Sequence, residues 1–148
     1  VKEAVNRKMN LLLVEGMPEL SERIRRIIAT SAFASRVHTV GDSAETLAYL
    51  RHEPPYRTAP KPDIVLLGLS QARSDRRDIA DEIAGNSRLV GIEVVTLEDP
   101  RLRQIFADDP ILAPDGYALE TIELPALGQY IDKFASVSPH FARTMGAL

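Results

Sequence analysis

The sequence predicts an α/β domain built on a five-stranded parallel sheet with helices on both faces. Three observations predict it. Short, unbroken apolar runs recur along the chain, as strands buried on both faces require. Between them lie stretches with apolar residues three and four apart, the spacing of amphipathic helices. The two kinds of segment alternate five times, and β-α alternation favours a parallel sheet over an antiparallel one.

Leu11 to Val14 is the first apolar run, followed by the turn residues Gly16 and Pro18. Leu20, Ile24, Ile27 and Ile28 then recur at helical spacing among charges. Val37 to Val40 is a second strand, and Asp42 or Ser43 can cap the helix after it, whose buried side carries Leu47 and Leu50. Residues 54–62, with four prolines, form a loop. Ile64 to Leu67 is the third strand and Ile79 and Ile83 mark the third helix. Ile92, Val94 and Val95 mark the fourth strand, and Leu102, Ile105 and Phe106 the fourth helix. Tyr117 to Leu119 is a short fifth strand; Leu124, Leu127, Ile131 and Phe134 give a fifth helix. Right-handed crossovers leave few topologies, and for five such units the flavodoxin-like order 2-1-3-4-5 of a doubly wound sheet is expected. Ligands of such sheets sit beyond the carboxyl ends of the strands, here near Glu15, Gly68, Glu98 and Glu120.

A chain of 148 residues is one domain's worth, with a core large enough to need no staples. The expected division is an extension at residues 1–8, a domain at 9–135 and a tail at 136–148. There is no cysteine, which excludes disulfides and thiol catalysis and fits a reducing, cytoplasmic setting. A net charge of −3 argues against nucleic acid as the main partner. No apolar run reaches the ~20 residues of a membrane helix, so no membrane association is expected. His38, His52 and His140 show no metal-ligand spacing, and no Gly-rich phosphate loop follows a strand. Neither a metal nor another cofactor is expected.

Several segments together resemble the receiver domains of two-component signalling, the response-regulator (CheY-like) family. They are Leu11-Leu12-Leu13-Val14-Glu15-Gly16-Met17-Pro18, Val40-Gly41-Asp42-Ser43-Ala44-Glu45, Pro62-Asp63-Ile64-Val65-Leu66-Leu67-Gly68-Leu69, Ile92-Glu93-Val94-Val95 and Gly116-Tyr117. The long Pro-rich loop is similar to that of the stand-alone regulators that partner phytochromes. The resemblance implies phosphorylation of an aspartate at the end of the third strand. That chemistry needs a nucleophilic carboxylate, a Mg²⁺ held by acidic neighbours, and a hydroxyl and a lysine for the transferred oxygens.

Against that pattern the chain is depleted. Gly68 stands where the acceptor aspartate belongs. The acidic pair after the first strand is reduced to Glu15, with Gly16 as its other member. Glu98 takes the place of the hydroxyl residue, and Thr96 lies two residues early. Glu120 takes the place of the lysine, with Thr121 where a proline usually follows. The expectation is therefore a pseudo-receiver, with no enzymatic activity of its own. Two further readings are an active receiver using Asp63, Asp75 or Ser70 as acceptor, and a small flavodoxin-like ligand-binding protein.

Glu15, Glu98 and Glu120 could converge on a divalent cation or a partner's basic side chain, but solvated glutamates are the commoner case. Tyr117 occupies the position of the family's switch aromatic. Arg73, Arg76 and Arg77 could face an acidic partner or pair with the glutamates, but a solvated loop is the commoner case, and Arg23, Arg25 and Arg26 are read as the wet face of the first helix. The resemblance implies a docking face of fourth helix, fifth strand and fifth helix, with Leu102, Ile105, Tyr117, Leu124 and Tyr130 as the expected interface. The expected partner is a protein: a sensor histidine kinase, a phytochrome, another regulator, or a second copy in a homodimer. Phe141, Met145 and Leu148 make the tail apolar.

Overall fold

The computed structural model describes residues 9–33, 35–71, 73–101 and 120–137. Strands β1 (Met9–Val14), β2 (Ser35–Val40), β3 (Ile64–Leu67), β4 (Glu93–Glu98) and β5 (Glu120–Glu123) form one parallel sheet in the order β2-β1-β3-β4-β5. That is the order the alternation predicts. Helices α1 (Pro18–Ile28), α2 (Ser43–Leu50), α3 (Arg73–Gly85) and α4 (Leu127–Val137) cover its two faces. The predicted fourth helix has Pro100 and Arg101 in helical conformation; Leu102, Ile105 and Phe106 lie outside the described residues.

Side chains of a strand alternate between faces, and β1 divides accordingly. Met9, Leu11 and Leu13 pack with Ile24 and Ile28 of α1 and Leu127 and Ile131 of α4. Leu12 and Val14 face the other way, onto Tyr49 and Leu50 of α2 and Ile79 and Ile83 of α3. Both faces of β1 and β3 are therefore dry, which explains their unbroken apolar sequence. Leu13 is fully buried, and its truncation to alanine costs roughly 2–5 kcal/mol by lost transfer energy and the cavity left behind.

Local chemistry sets the junctions. Pro18 opens α1, where its missing N–H costs no helical bond. Asp42 caps α2 by accepting a hydrogen bond from the Glu45 N–H at 2.8 Å. Glu45 in turn accepts from the Gly41 N–H at 2.8 Å through one carboxylate oxygen, and from the Tyr56 hydroxyl at 2.6 Å through the other. The Pro-rich loop is thus fastened to the start of α2. Tyr56 also sits against Tyr49 and His38, with ring centroids 5.2 and 5.6 Å away.

The fifth strand departs from expectation. The predicted segment, Tyr117 to Leu119, lies outside the described residues, and the described strand is Glu-Thr-Ile-Glu at 120–123. Its one buried side chain, Ile122, lies between two exposed neighbours, as at a sheet edge. Arg76 is a second departure. It stands within α3, one turn before Ile79 and Ala80, and it is buried. No helix among the described residues is long and apolar enough to cross a membrane.

Candidate functional site

Parallel strands deliver their carboxyl ends to one rim of the sheet, and β1 and β3 place Glu15 and Gly68 side by side there. The Gly68 N–H donates to the Val14 carbonyl at 2.8 Å, and the Glu15 N–H donates to the Val40 carbonyl at 2.9 Å. Glu15 is only 3% exposed, and a buried carboxylate needs hydrogen-bond donors. It has four. One oxygen accepts from the Leu69 N–H at 2.8 Å and the Ser70 N–H at 3.3 Å. The other accepts from the Met17 N–H at 3.1 Å and from the Ser70 hydroxyl. Glu15 therefore bonds across β1 to the turn leaving β3.

The same carboxylate fills the space beside Gly68. A Cβ on Gly68 would stand 2.5 Å from Glu15 Oε1 and 2.9 Å from Glu15 Cβ, with the Val14 carbonyl oxygen closer still. At Gly16 a Cβ would meet the Gly41 carbonyl oxygen at 2.9 Å. Neither glycine leaves room for the acidic side chain that the receiver pattern carries there.

The family's Mg²⁺ does not fit this donor set. Gly16 and Gly68 offer no side-chain ligand, and both oxygens of Glu15 already accept hydrogen bonds from the chain. Among the described residues no three His, Cys, Asp or Glu side chains are grouped to hold a metal ion.

Glu15, Glu98 and Glu120 do not converge. Glu98 ends β4, whereas Glu120 begins β5 and lies opposite Val95, in the middle of β4. It is Glu123 that stands opposite Glu98 at the carboxyl rim. Glu120 shares the α4 face of the sheet with Glu93 and hydrogen-bonds to it. Burial, then that hydrogen bond and the neighbouring charge of Glu120, push the Glu93 carboxyl above the usual range. Burial, then Glu93 and Glu120, likewise raise the Tyr130 hydroxyl. Counting from Tyr117 to find Glu120 misses this because it takes the strand to end there.

Thr96 is buried inside β4, paired with Leu67 on one side and Thr121 on the other. Of the alternative acceptors, Ser70 donates its hydroxyl to Glu15. Asp75 accepts the Ser43 hydroxyl at 3.0 Å. Asp63 precedes β3, at the opposite end of the sheet, and accepts the Asn10 N–H at 2.8 Å.

Leu124, expected at the interface, is instead a core residue, 1% exposed. It immediately follows β5 in a 3₁₀ turn with Pro125 and packs with Leu127 and Ile131. Tyr130 is half-buried beside Phe134, their centroids 6.4 Å apart. Leu102, Ile105 and Tyr117 lie outside the described residues.

One residue pair escaped the sequence reading. Asp99 follows β4, and its side chain is 3% exposed. Arg23 of α1 reaches it at 2.7 Å, so this arginine is not simply part of a wet face. Its neighbours do fit that face more closely: Arg26 pairs with Glu22 one turn away, and Arg25 donates to the Thr39 hydroxyl.

No family model matches the chain. Response regulator Rcp1 of Synechocystis sp. is 30% identical over 87 residues, a stretch that covers 59% of this chain and 59% of Rcp1. The match thus spans about three-fifths of that relative's length. The structure of the phosphorylated cyanobacterial phytochrome response regulator RcpA superposes with a TM-score of 0.61 at 27% identity, over 89% of this chain and 94% of RcpA. The bacteriophytochrome response regulator AtBRR shares the fold, with a TM-score of 0.61 at 23% identity over 96% of this chain and 95% of its own. With this sheet order the chain has the fold of response-regulator receivers, and it is similar to the regulators associated with phytochromes.

Proposed function

We propose that this receiver is not phosphorylated and works in two-component signalling as a protein-binding module. The observation that carries the reading is the Glu15 carboxylate beside Gly68. The acceptor position has no side chain, and the space for one is taken by a carboxylate held by four donors. Attack on a phosphoryl group needs a free carboxylate with the group in line. Glu15 is turned inward onto Leu69 and Ser70. Its partner on this reading is a protein: a sensor histidine kinase, a phytochrome, or another regulator with which it competes.

Intact-mass spectrometry after incubation with acetyl phosphate and Mg²⁺, beside an active receiver, tests the reading. The expected result is an unchanged mass. A phosphate adduct removed by hydroxylamine would overturn it.

Self-association is a second part of the proposal. Half-buried Tyr130 and Phe134 of α4 sit side by side against the core, Tyr130 beside Glu120 of β5, and partly covered aromatic side chains suit interfaces. Light scattering at rising concentration should show a dimer weakened by Tyr130→Ala. A monomer throughout would remove homodimerisation and leave the hetero-partner reading standing.

A further inference from the structure

At the amino ends of the strands, away from Glu15, lies a cleft of about 280 Å³ between the end of α2, the Pro-rich loop and the turn before β4. Its walls are apolar: Tyr49, Leu50, Pro62 and Leu89. Its polar rim carries the cations Arg51, Lys61 and Arg88 together with His52 and Asn86, and no acidic residue lines it. In a chain of net charge −3 this is a local reversal of sign.

The nearby acids are committed to one of these cations. Glu82 accepts a hydrogen bond from Arg51 and lies below the ordinary carboxylate range because of it. Glu53 stands 4.0 Å from the same guanidinium. Lys61 spends one donor on the Val90 carbonyl and keeps two. Among the described residues no carboxylate pairs with Lys61 or Arg88.

An exposed apolar side chain adjoins the cations. Val90 is 70% exposed, next in sequence to Leu89 of the wall. It is followed by Gly91, whose φ of +94° a side-chain-bearing residue rarely adopts. Pro60 and Pro62 fix the backbone of the opposite wall, so the cleft is shaped before anything enters it.

We propose that this cleft binds an acidic peptide segment of a partner protein, with a carboxylate against Arg88 and Lys61 and a neighbouring apolar side chain against Leu89 and Val90. Charge complementarity selects the carboxylate. The apolar walls select a peptide over a bare anion, which would leave them uncovered. The surface is remote from Glu15 and Gly68, so its use does not depend on whether that site is phosphorylated.

An amide NMR titration of the full chain tests this with three probes: a capped peptide of alternating glutamate and leucine, its lysine-leucine counterpart, and inorganic phosphate. The expected result is saturable shifts at Leu50 to His52, Lys61 and Arg88 to Val90 with the glutamate peptide alone. Arg88→Glu and Lys61→Glu should each weaken that binding about tenfold or more while keeping the amide spectrum of the fold, and Arg88→Lys should retain most of it. Shifts that are absent, that spread over other surfaces, or that survive both charge reversals would overturn the proposal. Equally tight binding of phosphate would also overturn it, in favour of a small-anion site.

Discussion

Glu15 Oε1 stands 2.5 Å from the point that a Cβ on Gly68 would occupy, and 2.8 Å from the Leu69 N–H. The two residues are complementary: the side chain missing from one position is replaced in space by the side chain of the other. Gly68→Ala should therefore destabilise the domain by about 1–3 kcal/mol through overpacking. In a Glu15→Ala background the added cost should shrink, leaving the parts due to the Val14 carbonyl and to the Cβ that alanine keeps at position 15. A double-mutant cycle by urea unfolding checks it. Additive effects would show that the two side chains do not compete for the same space.

The Arg23–Asp99 pair should respond unequally to loss of its two members. Asp99 is 3% exposed at its side chain and Arg23 34%. Removing Arg23 leaves a buried anion with only the exposed Arg101, whose guanidinium stands 3.7 Å away and whose backbone N–H donates at 3.0 Å, whereas removing the anion leaves a cation that can turn to water. Arg23→Met should cost about 2–3 kcal/mol and Asp99→Asn about 1 kcal/mol less, after allowance for the solvent around Arg23. Thermal unfolding of the two variants at one ionic strength gives the comparison.

Glu93 and Glu120 place two carboxyls against each other beside Tyr130, and Glu93 is raised by burial and by that neighbour. An acid raised in the folded state binds its proton more tightly there than in the unfolded chain. Its contribution is thus greatest below the unfolded pKa and is lost as pH rises through the folded value. Glu93→Gln should raise the melting temperature at pH 7, because it removes a carboxyl whose ionisation burial and Glu120 oppose. The gain should fade toward pH 4, and a melting series across that range reads it.

Tyr56 donates to Glu45, and that hydrogen bond, assisted by burial and by the carboxylate charge, pushes its hydroxyl from 10.0 to about 12. The group is raised, so its stabilising effect is complete below pH 10 and disappears as pH climbs through about 12. Phenolate absorbance, with Tyr56→Phe as the difference standard, should show this late titration. In Glu45→Gln the same residue should ionise earlier. An unchanged midpoint there would mean the carboxylate is not the cause.

Legibility in the sequence followed physical locality. β1 and β3 were readable because burial on both faces demands continuous apolar runs. Gly68 was readable because its flanking strand sets its register. β5 was not, since Glu-Thr-Ile-Glu carries one apolar residue and takes its register from β4. The Glu15 bonds to Leu69 and Ser70 span more than 50 positions, and nothing local in the sequence announces them. The charge of Arg76 points to a solvated loop, whereas its helical spacing from Ile79, Ala80 and Ile83 is the signal that points to its buried place. The Arg23–Asp99 pair was invisible for the same reason as the Glu15 bonds: it joins an early helix to a late strand end.

The close approach of Gly16 to the Gly41 carbonyl, together with that of Gly68 to Glu15, bears on how this domain can change over generations. Building an acidic pocket here one substitution at a time runs uphill at every first step. A side chain at position 68 meets Glu15, a side chain at position 16 meets the backbone of Gly41, and loss of Glu15 strands the N–H groups it satisfies. Each intermediate would have to survive a destabilised fold before any benefit arrived. Packing at this rim therefore opposes an acidic side chain at position 16 or 68 for as long as Glu15 and Gly41 keep their places.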